Sequence, residues 1–225
     1  MNTQNPATKR SKRHLEIIDV SAELFLKRGF NAVGVAEICD AVGLGRGALY
    51  HYIGSKDQLL LDIQERVLGP IDWFVDEILK LNKGPLVGLR LVSHVLLEIT
   101  TQRLAHVWVY QHDYRILDGD DRVRFVERRA SIEMVVRDLI ANAMAEGSFN
   151  AGNAQLRALE FFNHHNYTYQ WFQPGGEWSA AELSAIYSRT LMTGFGCAEG
   201  DFEQCEAISR AEIERLEPRF AMEVG

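Results

Sequence analysis

The sequence predicts an all-α protein, with a short three-helix unit over residues 1–56 followed by a larger helical bundle over 57–225. Three observations lead there. Apolar residues recur in steps of three and four along almost the whole chain, no run alternates apolar and polar residues for long enough to make a half-buried strand, and the periodic stretches are separated by turn-type segments. Those separators read KGP, DGDD, EGSFNAGN and QPGGEW.

Leu15, Ile18, Ala22 and Phe25 form one stripe of a first helix, which stops at Gly29 behind Lys27 and Arg28, a glycine C-cap with basic residues in the last turn. Val35, Ile38 and Val42 give VAEICDAV one apolar face, and Gly43-Leu44-Gly45 turns tightly into a third short helix, RGALYHY. Ser55 is an apt N-cap, and Gln58 three residues on predicts a capping box. From there Leu60, Ile63, Val67, Ile71, Phe74, Ile78 and Leu81 predict one long helix, with a kink at Pro70. Further helices are expected over 85–101, 103–116, 121–146, 152–172 and 179–195, while the last thirty residues are acidic and carry no assigned element.

Charge is distributed unevenly along the chain. The net charge of -7 argues against a nucleic-acid partner, yet residues 1–56 hold eight Lys or Arg against five Asp or Glu, leaving the remainder strongly acidic. A basic head on an acidic body suits a protein that meets phosphate at one end only. No apolar run is long enough to span a bilayer, and the basic start has no apolar segment behind it, so a cytoplasmic protein without membrane contact is expected. Cys39, Cys197 and Cys205 are odd in number and lack paired metal-site spacing, which predicts reduced thiols, no disulfide and no structural metal. No cofactor is expected.

The run FNAVGVAEICDAVGLGRGALYHYIGSKDQLL, preceded by KRG, resembles the signature of the TetR family of regulators. The resemblance implies a helix-turn-helix whose third helix enters DNA. The residues themselves suit that role. Gly45, Gly47 and Ala48 keep the helix slim where backbone nears a duplex, and Arg46 at its start could reach a guanine edge or a phosphate. Tyr50 and His51 would bond phosphates, as would Lys56 at the start of the next helix. Lys9, Arg10, Lys12 and Arg13 are read as a basic arm ahead of the first helix. Gly34 and Gly45 stand where the family commonly has Thr and Ser, and Ile53 where it has Phe, so cap hydroxyls are missing. Cys39, where a small Ala is usual, reads as core.

Residues 85–195 are rich in aromatics, most of them expected in the core, with an apolar ligand pocket lined by Trp73, His94, Trp108, Tyr110, Tyr114, Phe162, His165 and Asn166. HNYTYQWFQPGGEWSAAEL is similar to the W-[YF]-x-P-G-G segment of a TetR subgroup linked to fatty-acid and steroid catabolism. That likeness implies an acyl-CoA thioester as effector, although Gln170 and Gln173 stand where basic residues often occur, and an aromatic or carboxylic acid stays equally open. The helices over 152–172 and 179–195 would form a four-helix homodimer interface, placing two recognition helices about 34–36 Å apart on a palindrome. Effector binding would then bias the long helix and release operator DNA.

Three other readings compete. His94, His106, His112, His164 and His165 could build an enzyme site, but no H-x3-H pair, paired E-x-x-H or nucleophile motif supports it. A helical ligand-binding module without DNA contact is the second alternative, and a TetR-like activator the third.

Overall fold

The computed structural model describes residues 6–224, and side chains from 11 to 220. Among these residues the chain forms ten α-helices, two 3-10 turns and no strand. They are α1 (Pro6–Arg28), α2 (Val35–Val42), α3 (Arg46–Ile53), α4 (Lys56–Leu81), α5 (Pro85–Gln102), α6 (Leu104–His112), α7 (Gly119–Ala145), α8 (Ala154–Asn166), α9 (Ala180–Gly194) and α10 (Glu199–Val224), with 3-10 turns at Asp113–Ile116 and Tyr167–Gln170. The chain resolves into two compact units: the chain up to Leu68 with Arg103–Arg124, and Gly69–Gln102 with Phe125 onward.

In the first unit α1 buries Ile17, Ile18, Ala22 and Phe25 against α2 and α6. Ser21 lies in the same stripe with its hydroxyl satisfied, donating to the Ile17 carbonyl at 2.7 Å. The helix begins at Pro6, a residue preorganised for a first turn, and meets no breaker before Gly29. Lys9 to Arg13 therefore belong to α1 and do not precede it as an arm; the side chains of Lys9 and Arg10 lie outside the described residues. Gly29 (φ 78°) and Gly43 (φ 65°) end α1 and α2 in the left-handed region that favours glycine.

Only half of the expected capping box forms at α4. The Gln58 amide donates to Ser55 Oγ at 2.9 Å, but the Gln58 side chain turns forward to the Asp62 carboxylate, also at 2.9 Å, a charged acceptor one turn on. The helix continues through Pro70. Pro70 has no N–H for the Arg66 carbonyl four residues back, and Arg103, the residue that opens α6, donates Nη1 to that oxygen instead.

The second unit is built around α5, whose residues from Pro85 to Leu97 are all buried except Leu86. A helix apolar on every side belongs inside, and α5 is covered by α9, α10 and α8. Its single arginine is neutralised within the core: Arg90 Nε and Nη2 donate to the two carboxylate oxygens of Glu206 on α10 at 2.6 and 3.3 Å, and Nη1 to Ser184 Oγ on α9 at 3.2 Å. Burial alone would raise the Glu206 pKa, but the Arg90 bonds and charge hold it below the ordinary carboxylate value. A complete capping box at α9 joins Ser179 and Glu182.

Candidate nucleic-acid interface

Two buried residues fix which way α3 faces. Leu49 and Ile53 are 0% and 1% exposed, so Ile53 fills the core where the family favours Phe, and the opposite side of the helix is turned to solvent. Arg46, Gly47, Ala48, Tyr50 and His51 all lie on that exposed side. Gly45 leads into the helix with φ -72° and ψ 155°, and Gly34 enters α2 with φ -85° and ψ 156°, both without a side-chain cap bond. An added Cβ at Gly34, Gly45 or Gly47 would meet nothing within 4 Å. The three glycines thus leave the outer surface flat and open, and no neighbouring side chain demands them.

Arg46 makes no ion pair among the described residues, so its guanidinium projects from the first turn of α3 available to an acceptor. The other basic residues are more committed. Arg13 donates Nη2 to the Val42 carbonyl at the end of α2 and Nη1 to Glu16 at 2.6 Å, which ties α1 to α2. Lys56 is half-buried, its Nζ 2.5 Å from the Phe30 carbonyl and 4.0 Å from the Phe30 ring centroid, and burial lowers its pKa. Both residues position the α1–α2–α3 frame.

The eight residues expected around a ligand fall in both units. In the first, Trp108 stacks on His112 with centroids 4.2 Å apart, Tyr110 is 9% exposed, and Tyr114 is half-buried with its hydroxyl 3.4 Å from Arg115 Nε. In the second, Trp73 carries Arg219 over its ring at 5.3 Å, Phe162 packs edge-on against Phe161, and Asn166 is half-buried at the end of α8. His165 is spent on the fold. Its Nδ1 donates to the Phe161 carbonyl at 2.6 Å, which fixes the tautomer, and its Nε2 accepts from Ser93 Oγ at 2.7 Å. His94 is buried with an Nδ1 that meets no hydrogen-bond partner among the described residues. Both imidazoles are pushed down to about 4, chiefly by burial.

A cavity of about 200 Å³ lies between the end of α4, the start of α5 and α7, lined by Ile78, Leu81, Pro85, Gly88 and Leu139 among others. None of the eight residues lines it, and it is below the ~300 Å³ at which ligand sites usually begin. No group of three or more His, Cys, Asp or Glu able to hold a metal occurs among the described residues. Nor is any of their helices long and apolar enough to cross a membrane. Reading the sequence alone missed Arg66, Arg90 and Arg103. The available signals were a proline four residues after Arg66, and a lone cation inside the apolar run PLVGLRLVSHVLL.

Comparison with known proteins agrees with this geometry. Residues 17–63 match the bacterial regulatory proteins of the tetR family, and residues 85–195 match the tetracyclin repressor-like C-terminal domain. The HTH-type transcriptional repressor KstR2 of Mycolicibacterium smegmatis is 27% identical over 206 residues, covering 89% of this chain and 98% of its own. Among solved structures, the ketosteroid transcriptional regulator KstR2 of Mycobacterium tuberculosis superposes with a TM-score of 0.78 at 22% identity, over 83% of this chain and 96% of that one. AibR, in complex with isovaleryl coenzyme A and operator DNA, superposes with a TM-score of 0.71 at 21% identity, over 83% of this chain and 100% of its own. With its helix-turn-helix and its C-terminal half matched by the two parts of one family, the chain belongs to the TetR family of transcriptional regulators.

Proposed function

We propose that the protein is a cytoplasmic repressor that binds a palindromic operator as a homodimer through α3 and leaves it when a small, largely apolar effector binds the C-terminal domain. The observation that carries this reading is the face of α3: Arg46, Gly47, Ala48, Tyr50 and His51 exposed together on a helix anchored by Leu49 and Ile53. A short helix held rigidly from behind, slim at its start and cationic at its tip, has the dimensions and charge of a major-groove reader. The relatives' own names, a KstR2 repressor and an AibR bound to isovaleryl coenzyme A, favour repression and an acyl-CoA or related acid as effector. Leu156 and Leu159 on α8 and Ile186 on α9 are exposed at 57%, 41% and 53%, apolar surface that a second copy would cover. Sedimentation velocity should therefore report a dimer, and Leu159→Arg with Ile186→Arg should shift it to monomer; an unchanged dimer would place the interface elsewhere.

The DNA reading is tested by fluorescence anisotropy with duplexes from the intergenic region beside the gene. Affinity should fall steeply as salt rises. Arg46→Ala should cost about 1–3 kcal/mol on the preferred site and flatten sequence preference if the guanidinium reads a base, or weaken all duplexes alike if it holds a phosphate. Absence of salt-sensitive binding to any of these duplexes would refute the assignment.

A further inference from the structure

The junction of α1, α4 and α6 inside the first unit holds more positive charge than it neutralises. Arg103 is 6% exposed and Arg66 half-buried. Arg103 is held there by the bond from its Nη1 to the Arg66 carbonyl that Pro70 leaves open. Its Nη2 and the Nε of Arg66 are both buried without a hydrogen-bond partner among the described residues. The two guanidinium groups are close enough to repel: burial first, and then the Arg66 charge, lower the Arg103 pKa to about 10, so it stays protonated at neutral pH. Asp19 on α1 is the counter-ion that acts on both, and it also meets His106 Nε2 at 3.1 Å. With its side chain 52% exposed, Asp19 marks where the cluster reaches solvent. In addition, α6 starts at Leu104 with no side chain capping its first amides, which adds the partial positive charge of a helix N-terminus.

Two cations sharing one partly solvated carboxylate, with guanidinium N–H groups left over, form a poor structural ion pair and a good receptor for an anion. We infer that Arg66 and Arg103 form an anion-receiving site between α4 and α6, beside α1, that takes the phosphate or carboxylate end of an acidic ligand. Guanidinium groups suit either anion because their paired N–H groups match both geometries. A ligand seated there would tie α6 to α4 and face α1 of the DNA-binding head. The identity of that ligand as the effector rests on the function proposed above; the anion site itself does not.

The test separates the two. Inorganic pyrophosphate at millimolar concentration should raise the melting temperature of the full chain by several degrees, since it binds only the folded state. Arg137→Gln, at an exposed arginine of α7 that pairs with Asp138, should keep that rise, while Arg66→Gln should lose it, with Arg66→Lys restoring part. No rise in the parent protein, or an equal rise in Arg66→Gln, would overturn the site; if Arg66→Gln melts abnormally without anion, Arg66→Lys against the parent decides, a full rise in Arg66→Lys counting against the site. Isovaleryl-CoA, CoA and isovalerate then identify the source. A tenfold or greater loss of affinity in Arg66→Gln for both CoA compounds assigns the phosphate, and a loss confined to isovalerate assigns the carboxylate. If pyrophosphate binds as described but none of the three weakens DNA binding, the site stands and the effector reading fails.

Discussion

His94 and His165 show how burial turns a common residue into a pH liability. Each is neutral in the fold, with its pKa lowered to about 4, whereas in the unfolded chain it takes up a proton near 6.5. Between those values the unfolded state binds more protons than the folded one, so stability falls as pH falls, by at most about 1.4 kcal/mol per pH unit for each histidine. Urea denaturation at about pH 7.5 and about pH 5 should show a clear loss at the lower value, reduced in His94→Gln. Equal stability at the two would mean that neither ring is buried as described. At the same scale, the sequence marked both histidines as ligand candidates, and neither role could be separated from packing by residue type. His165 finds Ser93 from another helix and the Phe161 carbonyl one turn back, and the pairing with Ser93, 72 residues away, has no local signal.

Elements were legible where punctuation and period agreed. The turn at Gly43-Leu44-Gly45 and the cationic tip of α3 can be read from GLGRGALYHY, because both are local properties, whereas Leu49 as an anchor of the helix shows only in the packing. By contrast, α10 was not assigned, since its buried stripe of Phe202, Cys205, Ser209, Leu216 and Phe220 contains a cysteine and a serine that dilute the apolar period. Its most consequential contact, Glu206 to Arg90, links residues 116 apart. That pair sits in the core, where removing one partner leaves a charge without compensation. Glu206→Ala should therefore destabilise by about 3–5 kcal/mol in equilibrium denaturation, and an effect under about 1 kcal/mol would show that solvent screens the pair as it does surface ion pairs. The basic stretch Lys9–Arg13, expected ahead of the first helix, lies within α1, for which only the absence of any breaker gave a hint.

For the whole molecule, residues 103–124 pack as part of the first unit although they follow α5 of the second. Within that unit the returning segment is held by α6 against α1, by the Arg103 bond to the Arg66 carbonyl, and by the Asp113 carboxyl, which takes the Phe30 amide and whose pKa burial raises above its ordinary value. Composition could not disclose this, because it depends on where the chain returns. What composition did disclose is that the head is basic and the body acidic, and the fold gives that charge one outward helix face to act through. On the function proposed above, this face of α3 meets DNA. Gly47→Glu probes this face: a Cβ there would meet no neighbouring residue within 4 Å and the position is exposed, so the fold and its melting temperature should be kept, while a carboxylate is set against phosphate. Gly47→Glu should melt like the parent and lose at least about a hundredfold in affinity for the native upstream duplex, a loss that lessens as salt rises; a variant that binds that duplex as tightly as the parent would mean that DNA does not meet this face of α3.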